Sequence, residues 1–154
     1  MLLDMDDEFQ INQSATVKGQ LITTTVAAAG ATRVKDAGQP RDWGSGELVV
    51  PYLAVTAVAA LNVGTSFQVD IVASSTIDLT GTPAILSTTG ALLPGALLAG
   101  VLKRLPALLS GFLRRYLGAI FTVTGVAATT GAVVVGLTHK DARIQSYGDL
   151  ANSL

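Results

Sequence analysis

The sequence contains no cysteine and only one histidine among its 154 residues. Without cysteine, the chain can form neither a disulfide framework nor a thiolate metal site. The single histidine, His139, cannot supply a multi-histidine metal centre within one chain. These two absences exclude several of the commonest metal-binding and redox sites.

Charged and aromatic residues are also scarce. Charged residues make up 14% of the chain, where an ordinary domain has roughly a quarter. Aromatic residues make up 5%, so the 49% hydrophobic content comes mainly from Ala, Val and Leu. This composition excludes a disordered chain and is sufficient for one domain with its own core. The net charge of −1 gives no general attraction to nucleic acid, and we expect no specific nucleic-acid partner.

The apolar surplus raises the question of a membrane span, which needs about 20 predominantly apolar residues. The uncharged stretch 79–102 is interrupted by prolines, glycines and threonines, and the apolar segment 48–61 is too short and contains Pro51. The first residues are acidic, the wrong sign for a secretory signal. We therefore expect no membrane partner. We expect instead that a homodimer or homotrimer hides the apolar surplus.

Charge is distributed unevenly along the chain. Residues 1–78 carry nine acids and four bases, whereas residues 79–140 carry five bases and no acid. The two halves could pair within one fold, or they could form opposed surfaces for contacts between copies.

Short runs rich in Val, Ile and Thr predict seven or eight strands separated by Gly, Pro, Asn and Ser turns. Residues 65–73 and 112–124 show the clearest alternation of apolar side chains on one face. The fold class predicted is all-β, a two-sheet antiparallel sandwich. The predicted core consists of the inward residues of those two strands: Phe67, Val69, Ile71, Leu117, Phe121 and Val123.

Three other segments carry specific expectations. Residues 47–61 are apolar on both faces, which predicts a doubly covered strand at or beside a self-association surface. Residues 27–46 are punctuated by glycine and proline, which predicts a long loop. Residues 91–111 are rich in Leu and Ala but broken by Pro and Gly, so strand and short helix both remain open.

No catalytic pattern is present. The sequence has no phosphate-binding loop of the G-x-x-x-x-G-K-[ST] type and no G-x-S-x-G nucleophile elbow. His139 lies at a predicted strand end, which is typical of a solvated surface side chain. The acidic cluster in residues 4–8 lacks the glycine and the distal glutamate of a calcium loop. We predict no catalytic residue, no cofactor and no metal, and hence that the protein is not an enzyme.

A series of short motifs follows in a recognisable order: MLLD at the start, GSGE at 44–47 before an apolar strand, TSFQV at 65–69, a Leu-Pro stretch, RRYL at 114–117, FTVTG at 121–125 and TTGA at 129–132. From residue 1 to about 140, this order resembles the jelly-roll capsid cement (decoration) proteins of tailed bacteriophages. The resemblance implies a jelly-roll sandwich that self-associates, binds the major capsid protein and stabilises the shell from the outer surface of the virion. The Leu/Ala-rich residues 91–111 depart from a plain pair of strands.

We expect an N-terminal arm over 1–13, a sandwich over 14–139 and a C-terminal tail over 140–154. Flexible ends and long loops can become ordered on a partner, so each of these segments and the loop 27–46 is a docking candidate. The candidate contact residues are the apolar anchors of the arm, the only tryptophan and a basic pair: Leu2, Leu3, Met5, Phe9, Trp43, Arg114 and Arg115. The alternative function is a non-catalytic binding module, such as a sandwich of a fibre or tail, or one that binds carbohydrate.

Overall fold

A computed structural model of the chain describes residues 8–14, 25–26, 34–45, 49–55, 60–79, 82–126 and 130–139. These residues form β1 (Glu8–Ser14), β2 (Thr25–Val26), β3 (Lys35–Asp42), β4 (Val49–Val55), β5 (Ser66–Ser74), β6 (Ala84–Thr88), β7 (Leu102–Arg104), β8 (Leu113–Thr124) and β9 (Ala132–His139). A 3-10 turn spans Pro94–Ala96. No helix within the described ranges has the length and apolar character needed to cross a membrane.

The strands form two antiparallel sheets. The first sheet has the order β1-β9-β4-β7. In the second sheet β8 pairs with β5, β5 pairs with β6, and β2 and β3 both pair with the other edge of β8. The all-β class with two antiparallel sheets, predicted from the sequence, is confirmed.

An apolar core lies between the sheets. Alternate side chains of β5 and β8 point into it, opposite inward side chains of β4 and β9. The rings of Phe67 and Phe121 stack with their centroids 5.8 Å apart and their planes inclined by 13°. All six core residues named from the sequence are buried, with at most 2% of each exposed. The period of two along a half-buried strand is the reason that the sequence alone identifies them.

The described part of the apolar segment 47–61 is β4, and Pro51–Val55 are all buried. Leu53 and Val55 belong to the core between the sheets. Tyr52 and Ala54, on the opposite face of the strand, pack in a separate cluster with Val134. This strand is therefore covered on both faces within a single chain. Since Pro51–Val55 expose so little, self-association would have to use other surfaces.

The predicted loop over 27–46 is wrong for residues 35–42, which form β3. This strand pairs with β8, with a register shift between Asp36 and Arg41. Gly38 lies within the shift and has a φ of +75°, a conformation that favours glycine. Most side chains of β3 are exposed, so no apolar alternation marks this strand in the sequence.

Residues 91–111 form no α-helix; they contain the 3-10 turn, the three-residue β7 and irregular chain. Their leucines still contribute to the core, since Leu97, Leu105 and Leu108 are buried. The backbone N–H of Leu105 donates to Pro51 in the first sheet, and that of Leu109 donates to Leu86 in the second. This segment therefore closes the sandwich along the side formed by β6 and β7.

The opposite side of the sandwich carries β1, which pairs with β9 at the outer edge of the first sheet. Residues 8–13 of the predicted arm thus belong to a sheet strand, and Phe9 lies in it. Residues 1–7 and the tail 140–154 lie outside the described residues. The division into arm, sandwich and tail stays a prediction.

Candidate docking surface

Exposed apolar side chains concentrate toward one end of the sandwich, where β3 ends and β8 begins. The described residues expose eight large apolar side chains. Five of these lie toward this end: Ile77, Ile85, Leu109, Phe112 and Leu113. The other three, Leu93, Leu98 and Val126, lie toward the opposite end. Clustered exposed apolar surface marks interaction sites more often than scattered residues do.

Two chain segments meet at this end and form what we call the Trp43 corner, made of residues 41–45 and 110–114. The carboxylate of Asp42 accepts hydrogen bonds from the backbone N–H groups of Gly44 (3.1 Å) and Gly111 (2.7 Å). A methyl group at Gly44 would overlap the backbone of Leu109 and Ser110, so only glycine fits there without a shift. The corner is therefore held by backbone contacts as well as by its side chains.

Trp43 is half-buried in this corner. Its ring packs against the core, and its Nε1–H donates to the carbonyl oxygen of Arg114 at 3.0 Å. The guanidinium of Arg41 lies over the ring, 4.8 Å from its centroid. The structure thus brings together two predicted contact residues, Trp43 and Arg114, and adds Arg41. Arg41 is two residues from Trp43 in the sequence, but its position beside Arg114 depends on the pairing of β3 with β8, which no sequence pattern indicates.

Arg115, the other member of the predicted basic pair, forms an ion pair with Asp36 on β3. Its Nε and Nη2 donate to the two carboxylate oxygens at 2.7 and 2.8 Å. Hydrogen bonds from Arg115 and from the Gly38 N–H lower the pKa of Asp36 to about 2. The same pairing raises the pKa of Arg115. Asp36, from the acidic residues 1–78, and Arg115, from the basic residues 79–140, are therefore paired within one fold.

A groove lies beside the corner, between β6 and residues 106–109. It has a volume of about 200 Å³ and is lined mainly by apolar side chains: Ile85, Leu86, Pro106, Ala107 and Leu109. Ser87 and Thr88 also line the groove. The Ser87 hydroxyl donates to the Pro106 carbonyl oxygen at 2.6 Å and the Thr88 hydroxyl accepts from the Gly90 N–H at 3.0 Å, so both hydroxyl groups have partners. The sequence does not indicate this groove, because it forms where the irregular segment 105–109 lies against β6, and no periodic pattern marks that segment.

The remaining predicted contact residues are not placed at this surface. Leu2, Leu3 and Met5 lie outside the described residues, and Phe9 lies in β1 on the opposite side of the sandwich. Within the described ranges, no group of three or more histidine, aspartate or glutamate side chains could hold a metal ion.

No protein-family model matches the chain, and no curated protein matches its sequence.

Proposed function

We propose that the chain is a jelly-roll cement protein that binds the outer surface of a bacteriophage capsid and stabilises the shell. A jelly roll results when a long antiparallel hairpin is rolled into two facing sheets, so that the first strand pairs with the last. Here β1 pairs with β9, β2 and β3 with β8, β4 with β7, and β5 with β6. This nested order supports a jelly roll, an architecture used by viral capsid domains and by lectins.

A fold does not fix a function, so the proposal depends on the surface. The observation that carries it is the Trp43 corner, where the exposed side chains of Phe112 and Leu113 lie beside Arg41 and Arg114. Aromatic and arginine side chains are enriched at the centres of protein interfaces. The tight backbone contacts of Gly44 support a preformed surface, which loses little entropy on binding.

Cementing needs surface complementarity rather than reactive groups. A contact of standard size buries roughly 1,600 Å² in total. A homodimer or homotrimer that contacts several copies of the major capsid protein also gains from effective concentration, by about 10²-fold or more. Such links across subunit boundaries would oppose separation of the shell under internal pressure. The proposed location is the outside of the virion, after synthesis in the host cytoplasm.

The alternative, a carbohydrate-binding module, requires exposed aromatic faces. Among the described aromatic side chains, Tyr52, Phe67 and Phe121 are buried in the chain, and Phe112 is exposed, at 38%. The rings of Trp43 and Tyr116 each lie against an arginine guanidinium. These observations favour a contact with protein over stacking on a sugar.

The test is binding of the purified chain to capsids that lack it, measured by co-sedimentation. Leu113→Glu places a charge on the corner, and Leu93→Glu is the matched control at the opposite end, with exposed fractions of 63% and 66%. We expect the parent and Leu93→Glu to bind, and Leu113→Glu to bind at least about tenfold more weakly. Failure of the parent to bind would refute the cement function. Equal binding by both variants would refute only the corner as the docking surface.

A further inference from the structure

The apolar groove between β6 and residues 106–109 has the size and chemistry to hold an aliphatic side chain. Its volume is about 200 Å³, and a cavity of about 150 Å³ is large enough for benzene. Its neighbouring polar groups are engaged, because Ser87 donates to Pro106 and the Leu109 N–H donates to Leu86. The groove therefore suits the apolar side chains of a peptide rather than a polar small molecule.

Two basic residues precede one wall of the groove in the sequence. Lys103 and Arg104 are exposed on β7, immediately before the segment that forms one wall. Residues 79–140, which supply all of the lining, contain no acid. A peptide that fits this surface should combine apolar side chains with carboxylates.

The chain itself contains such a peptide. Residues 1–7, MLLDMDD, hold two leucines, two methionines and three aspartates. They precede β1, at the outer edge of the first sheet, whereas β7 and the groove lie at the other edge. Three strand spacings separate β1 from β7, a distance of roughly 14 Å. Seven extended residues span more than this distance, so the cross-linking test below includes closure within one chain. Because residues 1–7 start from one edge of the sheet and the groove lies at the other, copies of the chain can associate head to tail, with the segment of one copy in the groove of the next.

We propose that the groove binds residues 1–7 of a second copy of this chain. Leu2 or Leu3 fills the groove, and the aspartates that follow lie near Lys103 and Arg104 of the receiving copy. Each copy then donates one segment and receives another, so a closed ring satisfies every groove. This inference depends on the self-association in the proposed function but not on binding to a capsid.

The absence of cysteine makes a cross-linking test direct, since every introduced thiol is unique. One chain carries Leu3→Cys, a second carries Ala107→Cys in the groove, and the two are mixed and oxidised. We expect the mixed disulfide dimer as the main product. We expect little of it when Leu98→Cys, at the opposite end, replaces Ala107→Cys. Equal yields from the two mixtures would overturn the proposal. So would a chain carrying both Leu3→Cys and Ala107→Cys that closes only within itself on dilution.

A second measurement follows the oligomer by light scattering over a dilution series. Leu109→Glu changes the groove, and Leu98→Glu is its control, since their exposed fractions are 58% and 56%. We expect Leu109→Glu to weaken self-association at least tenfold while its circular dichroism matches the parent. If Leu109→Glu forms the same oligomer as the parent, the groove is not the site of self-association, although self-association itself still holds. A monomeric parent would overturn both, and capsid binding would still be measured separately.

Discussion

Replacing Phe121 by alanine tests the packing between the two sheets. Phe121 is 2% exposed, and its ring stacks on that of Phe67 across β5 and β8. Truncating a buried phenylalanine removes apolar contacts and leaves a cavity, which costs about 3–5 kcal/mol. Domains usually have a free energy of unfolding of about 5–15 kcal/mol, so the expected loss is a large share of the total.

The assay is thermal unfolding followed by circular dichroism. In a chain of this size, 1 kcal/mol shifts the melting temperature by about 2–4 °C, so Phe121→Ala should lower it by roughly 6–20 °C. Phe112→Ala is the matched control, because Phe112 is 38% exposed and lies outside the core. We expect this control to cost far less than Phe121→Ala.

A melting temperature of Phe121→Ala within 2 °C of the parent would contradict the inward position of Phe121. That result would indicate that β8 is displaced by one residue, which would exchange the inward Phe121 for Ile120. In the structure, Phe121 pairs with the inward Val69, whereas Ile120 pairs with Asp70. Phe121→Ala should therefore destabilise the protein more than Ile120→Ala does.

Two further predictions concern the residues that shape the candidate surface. Gly44→Ala should destabilise the protein by about 1–3 kcal/mol in urea unfolding, because the added methyl overlaps the backbone of the facing segment. Gly95→Ala is the control, since a methyl there meets no atom within 4 Å, and it should change the urea midpoint little. Equal effects of the two substitutions would contradict the close approach at Gly44. The Asp36–Arg115 pair should contribute stability that is fully present above about pH 4 and is lost as the pH falls toward 2, because the pKa of Asp36 is lowered from 3.8 to about 2. The difference in free energy of unfolding between the parent and Arg115→Gln should therefore decrease as the pH falls over that interval. A difference that stays constant between pH 5 and pH 2 would show that the pair does not act through its charge.

The sequence predicts those parts of the fold in which one face of a strand is buried. Apolar residues alternate in the sequence of β5 from Phe67 to Ile71 and in that of β8 from Leu117 to Val123, so the strands and their inward residues follow from period two. Asp70, between Val69 and Ile71, is buried as well, which the alternation does not predict. The all-β class follows from the spacing of such runs between turn residues.

The sequence does not predict elements whose positions depend on distant partners. β3 carries mostly exposed polar residues and a glycine, so only its hydrogen bonds to β8 define it as a strand. The ion pair of Arg115 with Asp36, 79 residues away, could not be predicted from the sequence, because it depends on the pairing of β3 with β8. The role of Arg115 as a contact residue stays a prediction. The groove likewise depends on the backbone hydrogen bond from Leu109 to Leu86 at the edge of the second sheet.

Cryo-electron microscopy of capsids with and without the bound chain tests whether the protein is a capsid cement protein. We expect difference density on the outer surface of the shell that fits the two-sheet sandwich, with the Trp43 corner facing the capsid and bridging neighbouring subunits. Control images of capsids incubated with Leu113→Glu should show weaker density at the same positions. Capsids that carry no added density at saturating concentrations of the parent chain would contradict the cement function.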